Sequence, residues 1–269
     1  MLRSRDWMAS LMLRMPESIR SIRKVPVLGS LLHKLSYRAL PSDQKIWAQV
    51  EAGPSTGLWL ELNPRTGQNY RSGENEKICQ AVVAERLRPG DVFYDLGANI
   101  GLFSLLAARV TGSTGKVFSF EPDAQIAERL RRNAAYNNFY NITVVPMGVW
   151  SASGDVNFVS ADFTSPDHGV GKFDPVGAGV AGVPARCVAL DDFMQASPPP
   201  DAIKCDVEGA EVEVFRGAAK LVSFHRPWIL CELHSRAIDQ AWRELIGGFG
   251  YSFESVDENH VLALPHKEI

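Results

Sequence analysis

The sequence predicts an α/β chain built on a parallel sheet. Three observations carry that expectation. Short apolar runs of strand length alternate with segments of helical periodicity from residue 91 onward. The run Val92-Phe93-Tyr94 leads through Asp95-Leu-Gly-Ala-Asn-Ile-Gly101 into Leu102-Phe-Ser-Leu-Leu-Ala-Ala-Arg109, a strand, a glycine-spaced turn and a helix with an apolar stripe. The run Lys116-Val-Phe-Ser-Phe120 then ends at Glu121-Pro122, which puts a second carboxylate at a strand tip.

The elements follow in order. Residues 43–51 read as a short helix, Leu58-Trp-Leu-Glu-Leu62 as a strand and Asn63-Pro-Arg-Thr-Gly67 as a turn. Glu74 to Leu87 reads as a helix turning Ile78, Ala81, Val82 and Val83 inward, ended by Arg88-Pro-Gly90. Core strands are expected near 91–96, 116–121, 142–146, 202–206 and 227–232. Helices Asp123–Tyr136 and Glu211–Ala219 lie between them. Tyr251-Ser-Phe-Glu-Ser255 and His260-Val-Leu-Ala-Leu264, divided by a short polar turn, suggest an antiparallel hairpin at the sheet edge. Between the third and fourth core strands, the strands Asp155–Val159 and Pro184–Val188 bracket a glycine-rich stretch, 160–182, read as a substrate lid or else as a disordered loop. Pro198-Pro-Pro200 is a stiff connector into the fourth strand.

Residues 1–40 differ from the rest. Eight Lys or Arg face only Asp6 and Glu17, in a chain whose net charge is −3. Trp7, Met8, Leu11, Met12 and Met15 fall near one helical face, and Val27, Leu28, Leu31, Leu32 and Leu35 near another. The expected organisation is a basic helical N-terminal extension, 1–55, and a catalytic domain, 56–269. The extension would pack on the domain or on a second subunit of a homo-oligomer, or make peripheral contact with an anionic membrane.

Composition narrows the function classes. With 45% hydrophobic and 22% charged residues over 269 positions, the chain can bury one sizeable core. It has no run of about 18 apolar residues, so no membrane span is expected, nor a secretory signal. The net charge and the lack of aromatic stackers interleaved with Lys and Arg argue against a nucleic-acid partner. Cys79, Cys187, Cys205 and Cys231 are widely spaced with no C-x-x-C pair, which suits buried free thiols in a reducing, cytoplasmic setting.

The ligand follows from the turn. A dinucleotide fingerprint, G-x-G-x-x-G, receives a pyrophosphate at its second glycine and at a helix N-terminus. Here Asn99 stands where that glycine would be, and Asp95 would repel a pyrophosphate. A carboxylate there suits a cation: a sulfonium or an amino-acid ammonium. S-adenosylmethionine carries both, and its ribose diol suits Glu121, with Pro122 beside it. Asp95 would then meet the methionine portion, Gly97, Ala98, Asn99 and Gly101 would form the turn beneath it, and Ser104 and Glu76 would reach the amino-acid end. Gly97 and Gly101 carry no Cβ to block the ligand's approach.

Six segments, in order, resemble the FkbM-type branch of the class I S-adenosylmethionine-dependent methyltransferases. They are Gly73-Glu-Asn-Glu76, Asp95 to Ser104, Phe120-Glu-Pro122, Leu190-Asp-Asp-Phe193, Ile203-Lys-Cys-Asp-Val-Glu-Gly-Ala-Glu211 and Cys231-Glu-Leu-His234. They span about 56–264, and Asp206 to Glu211 is the most family-specific of them. The resemblance implies a Rossmann-like class I methyltransferase fold: a mostly parallel seven-stranded sheet, helices on both faces and an antiparallel edge hairpin. It implies O-methylation of a hydroxyl on a sugar, glycan or secondary metabolite. The absence of an Asn/Asp-Pro-Pro-Tyr/Phe motif agrees with an oxygen acceptor. A non-catalytic or dinucleotide-binding Rossmann-like module is the alternative.

Methyl transfer from a sulfonium is an in-line displacement, so the acceptor must be aligned and its proton weakened or removed. Asp206, Glu208 and His234 fall at strand ends on the rim where open α/β sheets bind ligands. Three readings stay open. His234 is the general base, by virtue of its near-neutral intrinsic pKa; Asp206 or Glu208 takes the proton; or the three residues hold a divalent cation that lowers the hydroxyl pKa. His33, His225, His260 and His266 show no motif context, and His168 enters only as a lid residue.

Overall fold

A computed structural model describes residues 45–64, 66–159, 172–173 and 183–266. The helices expected within 1–40 and most of the 160–182 lid lie outside the described residues. The chain falls into two compact units, one ending at Asn75 and the other beginning at Glu76.

In the first unit, β1 (Ile46–Gln49) pairs antiparallel with β2 (Trp59–Leu62). The helix expected over 43–51 is therefore a strand. Burial alternates from Ala48 to Glu51, a period of two that the helical reading overlooked. The connecting turn is closed by the Thr56 hydroxyl donating to the Gly53 carbonyl and by the Val50 N–H donating to Leu58. A short helix, α1 (Gln68–Ser72), follows.

The second unit opens with α2 (Lys77–Arg86). Its buried face is Cys79, Gln80 and Val83, whereas Ile78, expected inside, is 54% exposed. Then come β3 (Val92–Leu96), α3 (Leu102–Thr111), β4 (Lys116–Phe120), α4 (Ala124–Tyr136) and β5 (Ile142–Val145). After an excursion the chain returns through β10 (Ala202–Cys205), α6 (Glu211–Arg216), α7 (Ala219–His225), β11 (Trp228–Glu232), α8 (Arg236–Gly247), β12 (Tyr251–Ser255) and β13 (His260–Pro265).

These strands form one seven-stranded sheet in the order β12-β13-β11-β10-β3-β4-β5. The five central strands are parallel, and β13 is antiparallel to both its neighbours. The edge hairpin is thus present, and the topology is that of the class I methyltransferase fold. The chain builds outward from β3 to β5, then resumes from β10 on the other side of β3, so the strand order reverses between β3 and β10. Ligands of open α/β sheets bind at such a reversal, outside the carboxyl ends of the strands.

The central strands are buried on both faces, as parallel strands are. Helix α3 is likewise enclosed: Leu102 through Ala108 are all buried, rather than one stripe of them. Tyr94, Phe118, Phe120 and Phe193 meet edge to face, or tilted in the Tyr94–Phe120 pair, with ring centroids 4.9–5.7 Å apart. Phe193 comes from α5 (Leu190–Phe193), whose Asp191 accepts the backbone N–H groups of Lys220 and Leu221 and so caps α7. Tyr94 donates its hydroxyl to the carbonyl of Pro198, anchoring the proline connector beneath β3.

The excursion is a second, four-stranded sheet of β6 (Gly148–Val149), β7 (Gly154–Val159), β8 (Lys172–Phe173) and β9 (Val183–Val188), in the order β6-β9-β7-β8. The expected bracketing strands pair antiparallel. Within the bracketed stretch Lys172–Phe173 is itself a strand.

Candidate active site

The Asp95–Gly101 turn is fixed by backbone bonds before any ligand arrives. The N–H groups of Gly97 and Ala98 both donate to the carbonyl of Phe120, at 3.1 and 2.9 Å. Asn99 takes a left-handed backbone (φ 49°), and its N–H donates to the Glu121 carboxylate at 2.9 Å. The other Glu121 oxygen accepts the N–H of Asp123 at 2.9 Å. Each oxygen keeps a further lone pair for a ligand hydroxyl. Burial pushes the Glu121 pKa up to about 7, against the pull of the two N–H donors.

The two glycines have a structural reason besides the one expected. A Cβ on Gly97 would lie 1.8 Å from the Asp206 carbonyl oxygen, and one on Gly101 would lie 2.8 Å from Leu130 on α4. Both residues have positive φ. They let neighbouring chain segments close up.

Asp95 is buried, and one of its oxygens accepts the Ser104 hydroxyl at 2.5 Å. Ser104 in turn accepts the Ser119 hydroxyl at 2.8 Å. Ser104 is wholly enclosed and holds the Asp95 carboxylate. The second Asp95 oxygen has no hydrogen-bond partner, and neither has the side-chain oxygen of Asn99. Burial lifts the Asp95 pKa to about 6, with Lys204 opposing.

Lys204 is the residue sequence reasoning passed over. It sits inside β10, buried, with its ammonium 3.0 Å from Asp206, 4.0 Å from Glu76 and 4.8 Å from the centre of the Phe103 ring. Burial works against its charge, but Asp206, Glu76 and Asp95 outweigh it and hold the lysine protonated. The signal was available: a lysine in an apolar strand run is tolerated only when paired.

On the other side of the reversal, His234 is placed among carboxylates. Its Nδ1 lies 2.9 Å from Glu211, and its Nε2 lies 3.2 Å from Glu208, 3.7 Å from Asp206 and 3.9 Å from Glu232. Glu208 and Glu211 raise its pKa to about 10. The near-neutral imidazole that made it a candidate base is therefore an imidazolium in this setting. Ligand atoms of Asp206, Glu208 and His234 all lie within 4.8 Å of one another. Glu208 itself has a left-handed backbone (φ 55°), as has Glu76 (φ 46°) at the head of α2. Glu76 faces Lys204 and His260, the latter at 3.5 Å. Pro122 leads from Glu121 to Asp123, which caps α4 by accepting the N–H groups of Gln125 and Ile126.

Sequence reasoning also missed Glu211 as the partner of His234, and it set His260 aside. Pairing of β11 with β13 puts His260 directly opposite Glu232, a register that no local motif reveals. All four cysteines are buried and free. No helix among the described residues is long and apolar enough to cross a membrane.

Fold and site together define a class I methyltransferase-type domain. The profile of the methyltransferase FkbM domain matches residues 95–260, and the chain belongs to that family. Over 170 residues it is 28% identical to the hexuronic acid methyltransferase AglP of Haloferax volcanii, covering 61% of this chain and 63% of that protein. It is 34% identical to the AMB antimetabolite synthetase AmbE of Pseudomonas aeruginosa over 105 residues, 34% of this chain and 5% of that one. The chain thus spans less than two thirds of the length of either relative. Among solved structures, methyltransferase FkbM from Methylobacillus flagellatus superposes with a TM-score of 0.48 at 21% identity, covering 72% of this chain and 46% of the other.

Proposed function

We propose that this chain is an S-adenosylmethionine-dependent O-methyltransferase acting on a hydroxyl of a sugar, glycan or secondary metabolite. The observation that carries the reading is a pair of enclosed oxygens without partners, on Asp95 and Asn99, beside a Glu121 carboxylate at the tip of the next parallel strand. Hydrogen-bond donors must meet the first pair, because enclosed polar groups left unmade cost about 1–3 kcal/mol each. An amino-acid ammonium and a ribose diol supply donors of the required kinds, so these residues fit the cofactor. When bound, that cofactor supplies an electrophilic methyl group on sulfur. The name of the Haloferax relative supports a sugar acceptor.

The protein's own part is to bind, align and deprotonate. Glu121 would hold the ribose hydroxyls, Asp95 the amino-acid end, and the Gly97–Gly101 turn the space between. On the acceptor side, His234 is held protonated by Glu208 and Glu211, which favours a carboxylate, Asp206 or Glu208, as the proton acceptor, with His234 orienting it. In place of that arrangement, Asp206, Glu208 and a His234 stripped of its second proton would hold a divalent cation, which would lower the pKa of a bound hydroxyl. The fit of their ligand atoms within 4.8 Å supports keeping that role.

Two measurements test the reading. Calorimetry should show S-adenosylhomocysteine binding and no binding of NAD; the opposite pattern removes the methyltransferase. Transfer of labelled methyl groups to a panel of uronic-acid and neutral sugars should give alkali-stable methyl ethers. Full turnover after exhaustive chelation would remove the cation from the acceptor side.

A further inference from the structure

His260 is built like a metal ligand, and nothing in the proposed methyl transfer uses it. Its side chain is 7% exposed. Its Nδ1 lies 2.8 Å from an oxygen of Asp257, and that oxygen also accepts the N–H groups of Asn259 and His260. A carboxylate fixed in this way sets the ring's orientation, as the outer-shell carboxylates of metal-bound histidines do. Nε2 then points inward and has no hydrogen-bond partner.

What faces Nε2 has the spacing of a coordination shell. Glu232 is 3.4 Å away and Glu76 is 3.5 Å away. A charge-assisted N–H···O contact would close to about 2.7–2.9 Å. Two ligand atoms on one tetrahedral zinc ion, with bonds of about 2.0–2.3 Å, stand about 3.3–3.6 Å apart. The thiol of Cys79, fully buried on α2, completes the group: ligand atoms of Glu76, Cys79 and His260 lie within 4.8 Å of one another. Glu76 and Glu232 are partly exposed, which leaves a way in for an ion.

We propose that Cys79, His260, Glu76 and Glu232 bind a single zinc-class cation, separate from the Asp206, Glu208 and His234 group. The donor set of one sulfur, one imidazole and two carboxylates suits a borderline-soft ion and not magnesium or calcium. Glu76, Cys79 and His260 supply three ligands and tie α2 to β13, and Glu232, 3.4 Å from His260, stands beside them as the fourth donor. Binding releases two protons to solvent, the thiol proton of Cys79 and the Nε2 proton that Glu76 and Glu232 hold on His260. Glu232 also stands 3.9 Å from His234, so the filled site fixes a neighbour of the acceptor side. The site does not depend on the methyltransferase reading.

Cobalt(II) is the probe. The full chain, stripped with chelator and titrated with Co2+ alone, should develop a thiolate-to-cobalt charge-transfer band that saturates at one equivalent and is bleached by Zn2+. The band should vanish in Cys79→Ser and His260→Ala and persist in His234→Ala. A wild-type chain without the band, or a band surviving in Cys79→Ser, overturns the site. Cobalt bound without the band, and lost in His234→Ala, would place the ion on the acceptor side alone and also overturns it. Should Cys79→Ser fail to fold, the wild-type spectrum and its bleaching by zinc decide the matter. S-adenosylhomocysteine affinity, measured separately, reports on methyl transfer whatever the cobalt result.

Discussion

Gly97 stands against the backbone carbonyl of Asp206, so close that a Cβ at 97 would lie 1.8 Å from that oxygen. The contact joins the turn at the end of β3 to the segment after β10, across the point where strand order reverses. The proposed cofactor and acceptor sides are therefore held by one backbone approach. Gly97→Ala should be costly twice over. The left-handed backbone (φ 75°) alone costs an Ala about 1–2 kcal/mol, and the Asp206 carbonyl must also move. The expected result is a lower urea midpoint and at least about tenfold weaker S-adenosylhomocysteine binding, since about 1.4 kcal/mol of misplacement suffices. Unchanged affinity in a folded Gly97→Ala protein would show that the two sides are not coupled here.

Glu121 gives a pH prediction with a definite sign. Its folded pKa is raised from 4.5 to about 7 by burial. A raised acid pKa means that its contribution to stability is fully present below 4.5 and is lost as pH rises through about 7. The ligand-free melting temperature should decline over that window. Affinity runs the other way, because the ionised carboxylate accepts the ribose hydroxyls. It should rise up to about tenfold per pH unit below 7, then level off. Glu121→Gln should flatten both curves. Calorimetry and thermal melts from pH 5.5 to 8.5 check this; a wild-type slope in the variant would remove Glu121 from the ribose.

How far the sequence foretold this depends on the range over which each feature is set. The strand-turn-helix at 92–111, the helix starting near Asp123 and the edge hairpin are local patterns of period and punctuation, and each was legible. The β1 strand was misread because four residues carry too little periodicity to separate strand from helix. The site is harder. Asp95, Glu121, Asp206, Glu208 and His234 could be placed at strand ends, but pKa values are set by neighbours from other strands. Glu211 and Glu208 turn His234 into an imidazolium, and only the β11–β13 register brings His260 to Glu232. The glycines were found for an incomplete reason: the chain segments packed against them, Asp206 and Leu130, lie far away in sequence.

Lys204 neutralises a cluster that would otherwise repel itself. Replacing it with Met leaves Asp95 and Asp206 buried or half-buried without their cation. Breaking one partner out of a buried pair costs about 3–5 kcal/mol. The loss should be largest near pH 8 and should shrink as pH falls, because without Lys204 the buried Asp95 takes up its proton at a higher pH than in the wild type and the repulsion is relieved. Urea titrations of wild type and Lys204→Met at pH 5.5 and 8 would show this narrowing. An equal deficit at both values would mean that lysine packing over Phe103, and not charge, is what the variant loses.

His234 separates the competing acceptor-side chemistries by the shape of a pH profile. With its pKa raised from 6.5 to about 10, the imidazolium contacts to Glu208 and Glu211 are intact below 6.5 and are lost as pH climbs through about 10. In chelator-treated protein, kcat/KM should show no acid limb near 6.5 that belongs to histidine, and it should fall on the alkaline side. His234→Gln should remove that alkaline limb. Glu208→Gln, which deletes the group next to Nε2, should lower kcat by about 10²–10⁴ if Glu208 accepts the proton. A rate that rises through pH 6.5 in the wild type, with the rise absent from His234→Gln, would restore the imidazole as the base. It would also mean that the bound acceptor weakens the contacts of Glu208 and Glu211 with the ring, since those contacts are what raise its pKa.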